Sequence, residues 1–423
     1  MSGAGSQSLA REVFLHGDRD TGAESTLRGE RNAALDGIRG IAVSLVLLYH
    51  FSLYQQTFTR PDPAWLRPEA WLFDVGSRTG WVGVQMFFVL SGFLISGLLE
   101  DGKARPHYFG KFYLRRALRI LPLYYAVLLL YLFVLPMLPM PGWANLRFVS
   151  EHQGWYWTFL TNFLFAGPLG WPRLSSHFWT LAVEEQFYLV WPLVVFMVAR
   201  GRLPKVCLLL LVAGALLRVA LVIHGVPLRV PYLITPTELD GLLVGAYLAA
   251  TIRQPRSQSF PIRHGRVLMF LSIVILLVIG LNDRRLAFGD PAVPLVGFTA
   301  LAILFGGIVY VAVTETPSSR TSRALGNPIA RFLGRYSYAI YLLHMPIIQL
   351  WTAPQRAETT LVVDGIPPFL AHLTYIIVVT GGIVLVSLFS WHLIEQPFLR
   401  LRAVFEPDNQ AGGRITEGVH LPR

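Results

Sequence analysis

The segment LDGIRGIAVSLVLLYH, residues 35–50, carries three groups able to do chemistry inside an otherwise apolar stretch. Asp36, Arg39, Val43, Val46 and His50 follow one another at spacings of 3, 4, 3 and 4, so on a helix they form one stripe. Arg39 and His50 are 11 positions apart, almost three whole turns, or about 16 Å along a helix axis. If Arg39 marks a membrane surface, His50 stands near mid-membrane. An imidazole there is a candidate general base; a plain helix–helix hydrogen bond is the competing use. Arg39 alone is weaker evidence, because an arginine at a helix end commonly snorkels to the interface.

Three further clusters share this character. In LRRALRILPLYY, Arg115, Arg116 and Arg119 crowd one helical turn. They are either anchors at the membrane surface or a clamp, since guanidinium groups grip phosphate oxygens in bidentate fashion. In SSHFWTLAVEEQFYLVWPL, Glu184 and Glu185 follow His177 and Trp179. Neighbouring helix residues point about 100° apart, so one glutamate is expected in a cavity and the other in a structural pair, with interfacial solvation as the alternative. In GRYSYAIYLLHMPII, Ser337, Tyr341 and His344 lie on one face, either a site or a polar packing seam. Small residues in GVQMFFVLSGFLISGLL, including Ser91, Gly92 and Gly97, suit close helix packing ahead of a cofactor tail. Asp240, in TPTELDGLLVGAYLA, is a functional group or a helix-start charge.

The elements that carry these groups follow from composition. The chain has 423 residues, 53% hydrophobic and 14% charged, against about 25% charged in soluble domains. That deficit points to lipid as the solvent for much of the surface. Spans of about 20 mainly apolar residues are expected near 37–56, 82–100, 119–138, 179–199, 205–223, 233–251, 266–282, 293–313, 335–353 and 369–393, the sixth and seventh being the least marked. The short aromatic stretch 155–167 reads as an interfacial or re-entrant segment. The expected architecture is an all-α, polytopic bundle of about ten transmembrane helices. Lys and Arg concentrate in the N-terminal tail, around 103–119, 200–205, 253–266 and 320–335, and after residue 400, which predicts both termini in the cytoplasm. Residues 1–33 and 403–423 read as cytoplasmic tails, the first disordered and without a signal peptide. Residues 34–402 form the membrane domain, expected to stand alone, with no soluble hydrolase-like domain after the last span.

The net charge of +11 is explained by this topology pattern rather than by nucleic-acid binding. The single cysteine, Cys207, allows no intrachain disulfide. Walker, dinucleotide, H-E-x-x-H and G-x-S-x-G motifs are all absent, so neither a metal nor a serine-hydrolase reading has an anchor. No internal repeat of the kind that builds many transporters is evident.

LDGIRGIAVSLVLLYH, GVQMFFVLSGFLISG, FYLRRALRILPLYY, FWTLAVEEQFYLVWPL, LDGLLVGAYLA, GRYSYAIYLLHMPI and LIEQPF occur in an order that resembles the acyltransferase-3 family of integral-membrane acyltransferases, from about Leu35 to Arg402. The resemblance implies an enzyme of the plasma (inner) membrane that moves an acyl group, often acetyl, from cytoplasmic acyl-CoA to an acceptor hydroxyl. Family acceptors are mostly sugars of envelope or exported polysaccharides and glycolipids, with macrolides also known. The family's Arg-(ten residues)-His motif falls on Arg39 and His50, its Arg-x-x-Arg on Arg116 and Arg119, and its glutamate motif on Glu184 and Glu185. Glu238 departs from it, standing where an arginine or similar residue is expected before LDG. On this reading Arg115, Arg116 and Arg119 hold the CoA phosphates and His50 is the general base. Glu184 or Glu185 orients the imidazole or the acceptor, and Arg39 assists the donor or fixes the first helix. Asp36, Trp179, Tyr341 and His344 are candidate substrate contacts. The rival is a proton-coupled transporter of a small solute, because intramembrane His, Glu and Arg also build proton relays.

Overall fold

Long apolar runs fold as helices because a helix satisfies its own backbone where no water is available. The computed structural model describes residues 22–53, 64–138, 144–254, 264–282, 286, 289–316, 319–352 and 367–405. Among these there is no β-strand. Ten helices form the frame: α1 (Gly22–Leu53), α2 (Val82–Gly102), α3 (Tyr108–Leu129), α4 (Phe178–Met197), α5 (Leu203–Ile223), α6 (Asp240–Ile252), α7 (Gly265–Asn282), α8 (Phe298–Thr314), α9 (Ser337–Thr352) and α10 (Pro368–Ser390). Seven described helices are long and apolar enough to cross a membrane; the apolar stretches of α6, α7 and α9 are shorter. The all-α polytopic bundle is thus as expected. Of the expected tails, residues 1–21 and 406–423 lie outside the described residues, as do 54–63, 255–263 and 353–366, which take in the ends of the first and ninth expected spans as well as loops.

The outer faces are apolar and open. Leu209, Leu216, Val278, Ile377 and Phe389 are each more than half exposed, a surface suited to lipid rather than to water. The inner faces pack closely. A Cβ on Gly92 of α2 would lie 2.0 Å from the Leu242 carbonyl oxygen of α6, and one on Gly245 of α6 would lie 2.0 Å from the Val89 carbonyl oxygen. Gly92 therefore serves helix packing. Gly92→Ala should destabilise the protein by about 1–3 kcal/mol through overpacking, read as a lower melting temperature in detergent. An unchanged melting temperature would show that the α2–α6 pair can separate at no cost.

The sixth expected span, 233–251, is not one continuous helix. Short helices Arg229–Leu233 and Thr235–Glu238 precede α6, with an extended break at Ile234. Pro231 and Pro236 each remove a backbone donor there. Such irregular backbone is tolerated at membrane depth only inside protein, and Tyr232, Leu233, Thr237 and Glu238 are indeed buried. Just beyond the break, the Arg218 guanidinium of α5 meets Asp240 at 2.5 and 3.0 Å and the Thr237 carbonyl at 2.6 Å. Glu238 accepts from the Gln85 side-chain amide at 2.9 Å.

The stretch 155–167 is broken into the short helices Gln153–Trp157 and Thr161–Ala166, with no full span. Side chains of α3 and its continuation hold this region. The Tyr124 hydroxyl donates to the Tyr156 carbonyl at 2.7 Å, and that of Tyr131 to the Leu174 carbonyl at 3.2 Å. Residues 171–177 are thereby brought against the mouth of the bundle.

Candidate active site

His50 sits near the C-terminal end of α1, 8% exposed. Its Nδ1 lies 2.9 Å from the Val46 carbonyl and 3.2 Å from Nε2 of His344 on α9. His344 Nδ1 lies 2.5 Å from the Tyr341 carbonyl. These contacts assign the tautomers. His344 donates from Nδ1 to a carbonyl, so its Nε2 accepts from His50 Nδ1–H. The lone pair of His50 is then on Nε2. A third imidazole, His177 at the N-terminus of α4, lies with its ring centroid 5.1 Å from that of His344. Its Nε2 donates to the Leu342 carbonyl at 3.1 Å, and its Nδ1 is buried without a hydrogen-bond partner.

His50 and His177 line a cavity of about 280 Å³ together with Tyr49, Trp81, Trp171, Arg173, Ser176, Trp179, Tyr232 and Tyr341. The aromatic rings brace one another: Tyr232 is 4.9 Å from Trp179 and 5.7 Å from Trp171 between centroids. A second cavity, of about 110 Å³, lies toward the N-terminal half of α1. Its lining includes Arg39, Ser91, Arg116, Arg119, Glu184, Glu185 and Tyr188. Arg116 and Arg119 project from α3 one turn apart, and the Arg116 guanidinium lies 5.3 Å from the Tyr188 ring centroid. Ser91 donates to Glu184 at 2.7 Å, and Arg39 is paired with Asp36 at 2.6 Å.

Val84 and Tyr341 line both cavities, so the two chambers share a wall. The Tyr341 hydroxyl is held there by the Thr180 hydroxyl at 2.5 Å and the His177 carbonyl at 3.2 Å. Chemically, one chamber offers guanidinium groups suited to phosphate oxygens, and the other a lone-pair imidazole in an aromatic box. A substrate group passing the Tyr341 wall would bring the two chemistries together.

The structure sorts the sequence candidates between the chambers. His50, Trp179 and Tyr341 line the first; Arg39, Arg116, Arg119, Glu184, Glu185 and again Tyr341 line the second. His344 stands behind His50, and Asp36 acts on Arg39. Arg115 is not among the residues lining either chamber. One glutamate was expected to orient the imidazole or the acceptor; both line the arginine chamber, and among the described residues the hydrogen-bond partners of His50 are Val46 and His344. The reason is geometric. α4 enters the first chamber at His177 and Trp179, and by Glu184 it has advanced more than a turn into the second. Sequence reasoning passed over Arg173, Ser176, His177 and Tyr232 as site residues. Only His177 carried a usable signal, an imidazole directly before an apolar helix. Among the described residues no group of three or more His, Cys, Asp or Glu is arranged to hold a metal ion.

The acyltransferase domain of the acyltransferase-3 family matches residues 32–392. The chain belongs to that family. The matched range contains every residue named in the two chambers. Among curated relatives, the peptidoglycan O-acetyltransferase OatA of Listeria monocytogenes is 29% identical over 335 residues, covering 75% of this chain and 50% of the relative. The putative peptidoglycan O-acetyltransferase YrhL of Bacillus subtilis is 29% identical over 391 residues, covering 86% of this chain and 54% of the relative. A putative O-acetyltransferase of Staphylococcus aureus is 28% identical over 400 residues, covering 86% and 56%. The chain thus spans about half the length of the curated relatives it matches. No solved structure matches it.

Proposed function

We propose that this protein is a membrane O-acyltransferase that moves an acyl group, acetyl first among the candidates, from acyl-CoA to a hydroxyl of a cell-envelope or exported carbohydrate or glycolipid. The observation that carries the reading is the shared wall between an arginine chamber and an imidazole chamber. The family and the O-acetyltransferase names of the relatives support the class of reaction. Arg116 and Arg119, with Arg39 beside them, receive the CoA phosphates, and this end of the bundle faces the cytoplasm of a plasma-membrane protein with both termini inside. The acyl-bearing arm reaches past Tyr341. His50 Nε2 takes the proton of the acceptor hydroxyl as its oxygen attacks the thioester carbonyl. The C–S bond then breaks, and the CoA thiolate leaves to take up a proton. An acyl-His50 intermediate is the two-step form of the same chemistry.

The test uses the full chain in membrane vesicles supplied with acetyl-CoA. Release of free CoA that depends on added acceptor supports the reading. Proton-coupled solute uptake without CoA release would identify a transporter instead. Replacing Arg116 and Arg119 together with alanine should weaken acetyl-CoA binding about tenfold or more, as expected for lost charge-assisted contacts. Calorimetric titration giving unchanged affinity would remove these residues from the donor site.

A further inference from the structure

We infer that the His50 chamber takes a carbohydrate bearing an anionic group, and that Arg173 at its mouth reads that charge. The inference rests on the acceptor role proposed for this chamber. Its walls are aromatic, with Trp81, Trp171, Trp179 and Tyr232 in the lining, and aromatic walls suit the apolar C–H face of a sugar ring. Arg173 is exposed and, among the described residues, is the one arginine or lysine in the lining, with no described aspartate or glutamate lining the chamber to balance it. Neither is its side chain engaged elsewhere. Arg78 is paired with Asp74 and Arg147 with Glu151, whereas Arg173 has no ion pair or side-chain hydrogen bond among the described residues. A ligand that suits this chamber offers an anion to Arg173 on a body that packs against indole. An anionic sugar has both. The anion is a carboxylate or a phosphate, since a guanidinium grips either.

The full chain in lipid nanodiscs is titrated with methyl glucuronoside, a methyl glucoside phosphate and neutral methyl glucoside. Quenching of indole fluorescence reports binding, and acyl transfer from acetyl-CoA is followed separately. At least one anionic probe should bind about tenfold or more tightly than the neutral one; the tighter of the two identifies the anion. Arg173→Ala should remove most of that preference, Arg173→Lys should keep part of it, and Arg147→Ala should leave it unchanged. The inference is overturned if neutral and anionic probes bind alike, if neither anionic probe binds, or if Arg173→Ala leaves the preference intact, which would make Arg173 a membrane-surface anchor. Arg173-dependent binding without acyl transfer would uphold the inference and defeat the proposed reaction. Transfer with no charge preference would do the reverse.

Discussion

His50→Gln lowers acyl transfer by about a hundredfold to ten-thousandfold, the range for a lost general base, while acetyl-CoA binding stays within about twofold of wild type. The split follows from the two chambers. His50 lines only the aromatic one, and the arginines proposed to hold the donor line only the other. Glutamine retains a polar group near the Val46 carbonyl, so the helix end is not stripped of its donor. It cannot supply the lone pair that the His344–Tyr341 chain leaves on His50 Nε2. The measurement is single-turnover transfer with donor affinity determined in parallel. Transfer above about a tenth of the wild-type rate would place the base elsewhere. His177 is the imidazole that would then be examined, because it lines the same chamber.

Local periodicity made part of this site legible. The Asp36–Arg39–His50 stripe and the Tyr341–His344 spacing each follow from helical geometry; Arg39, His50 and Tyr341 line the chambers and His344 stands behind His50, while Asp36 lines neither and keeps 37% of its side chain exposed. Bundle architecture was legible because apolar length alone demands helices. What local spacing cannot encode is which helices meet. The contact between His50 and His344 joins residues 294 positions apart. The placement of Glu184 with Arg116, rather than with His50, depends on how far α4 advances between the chambers before those side chains emerge. Arg173 and Tyr232 were invisible for a related reason. They lie outside any long apolar helix, on segments brought to the bundle mouth by tyrosine-to-carbonyl bonds and proline-broken backbone.

Asp240→Leu is expected to destabilise the protein by about 3–5 kcal/mol, because it leaves the Arg218 guanidinium buried without its counter-charge. Arg218 is 0% and Asp240 3% exposed. The carboxylate accepts from both terminal nitrogens of Arg218 and from the Thr299 hydroxyl at 2.5 Å, so one substitution undoes a network joining α5, α6 and α8. Exchanging both partners for leucine should recover most of the loss, since no orphaned charge remains. Melting temperature in detergent, with the yield of membrane-inserted protein, reports both variants. If the single variant melts like wild type, or the double variant is no better than the single, the pair is not what fixes the start of α6. That position matters beyond stability. α6 packs against α2 through Gly245 and Gly92, and α2 carries Val84 of the dividing wall and Ser91 beside Glu184. A shifted α6 therefore moves the wall between the chambers, and transfer should fall in the single variant even in the fraction that remains folded.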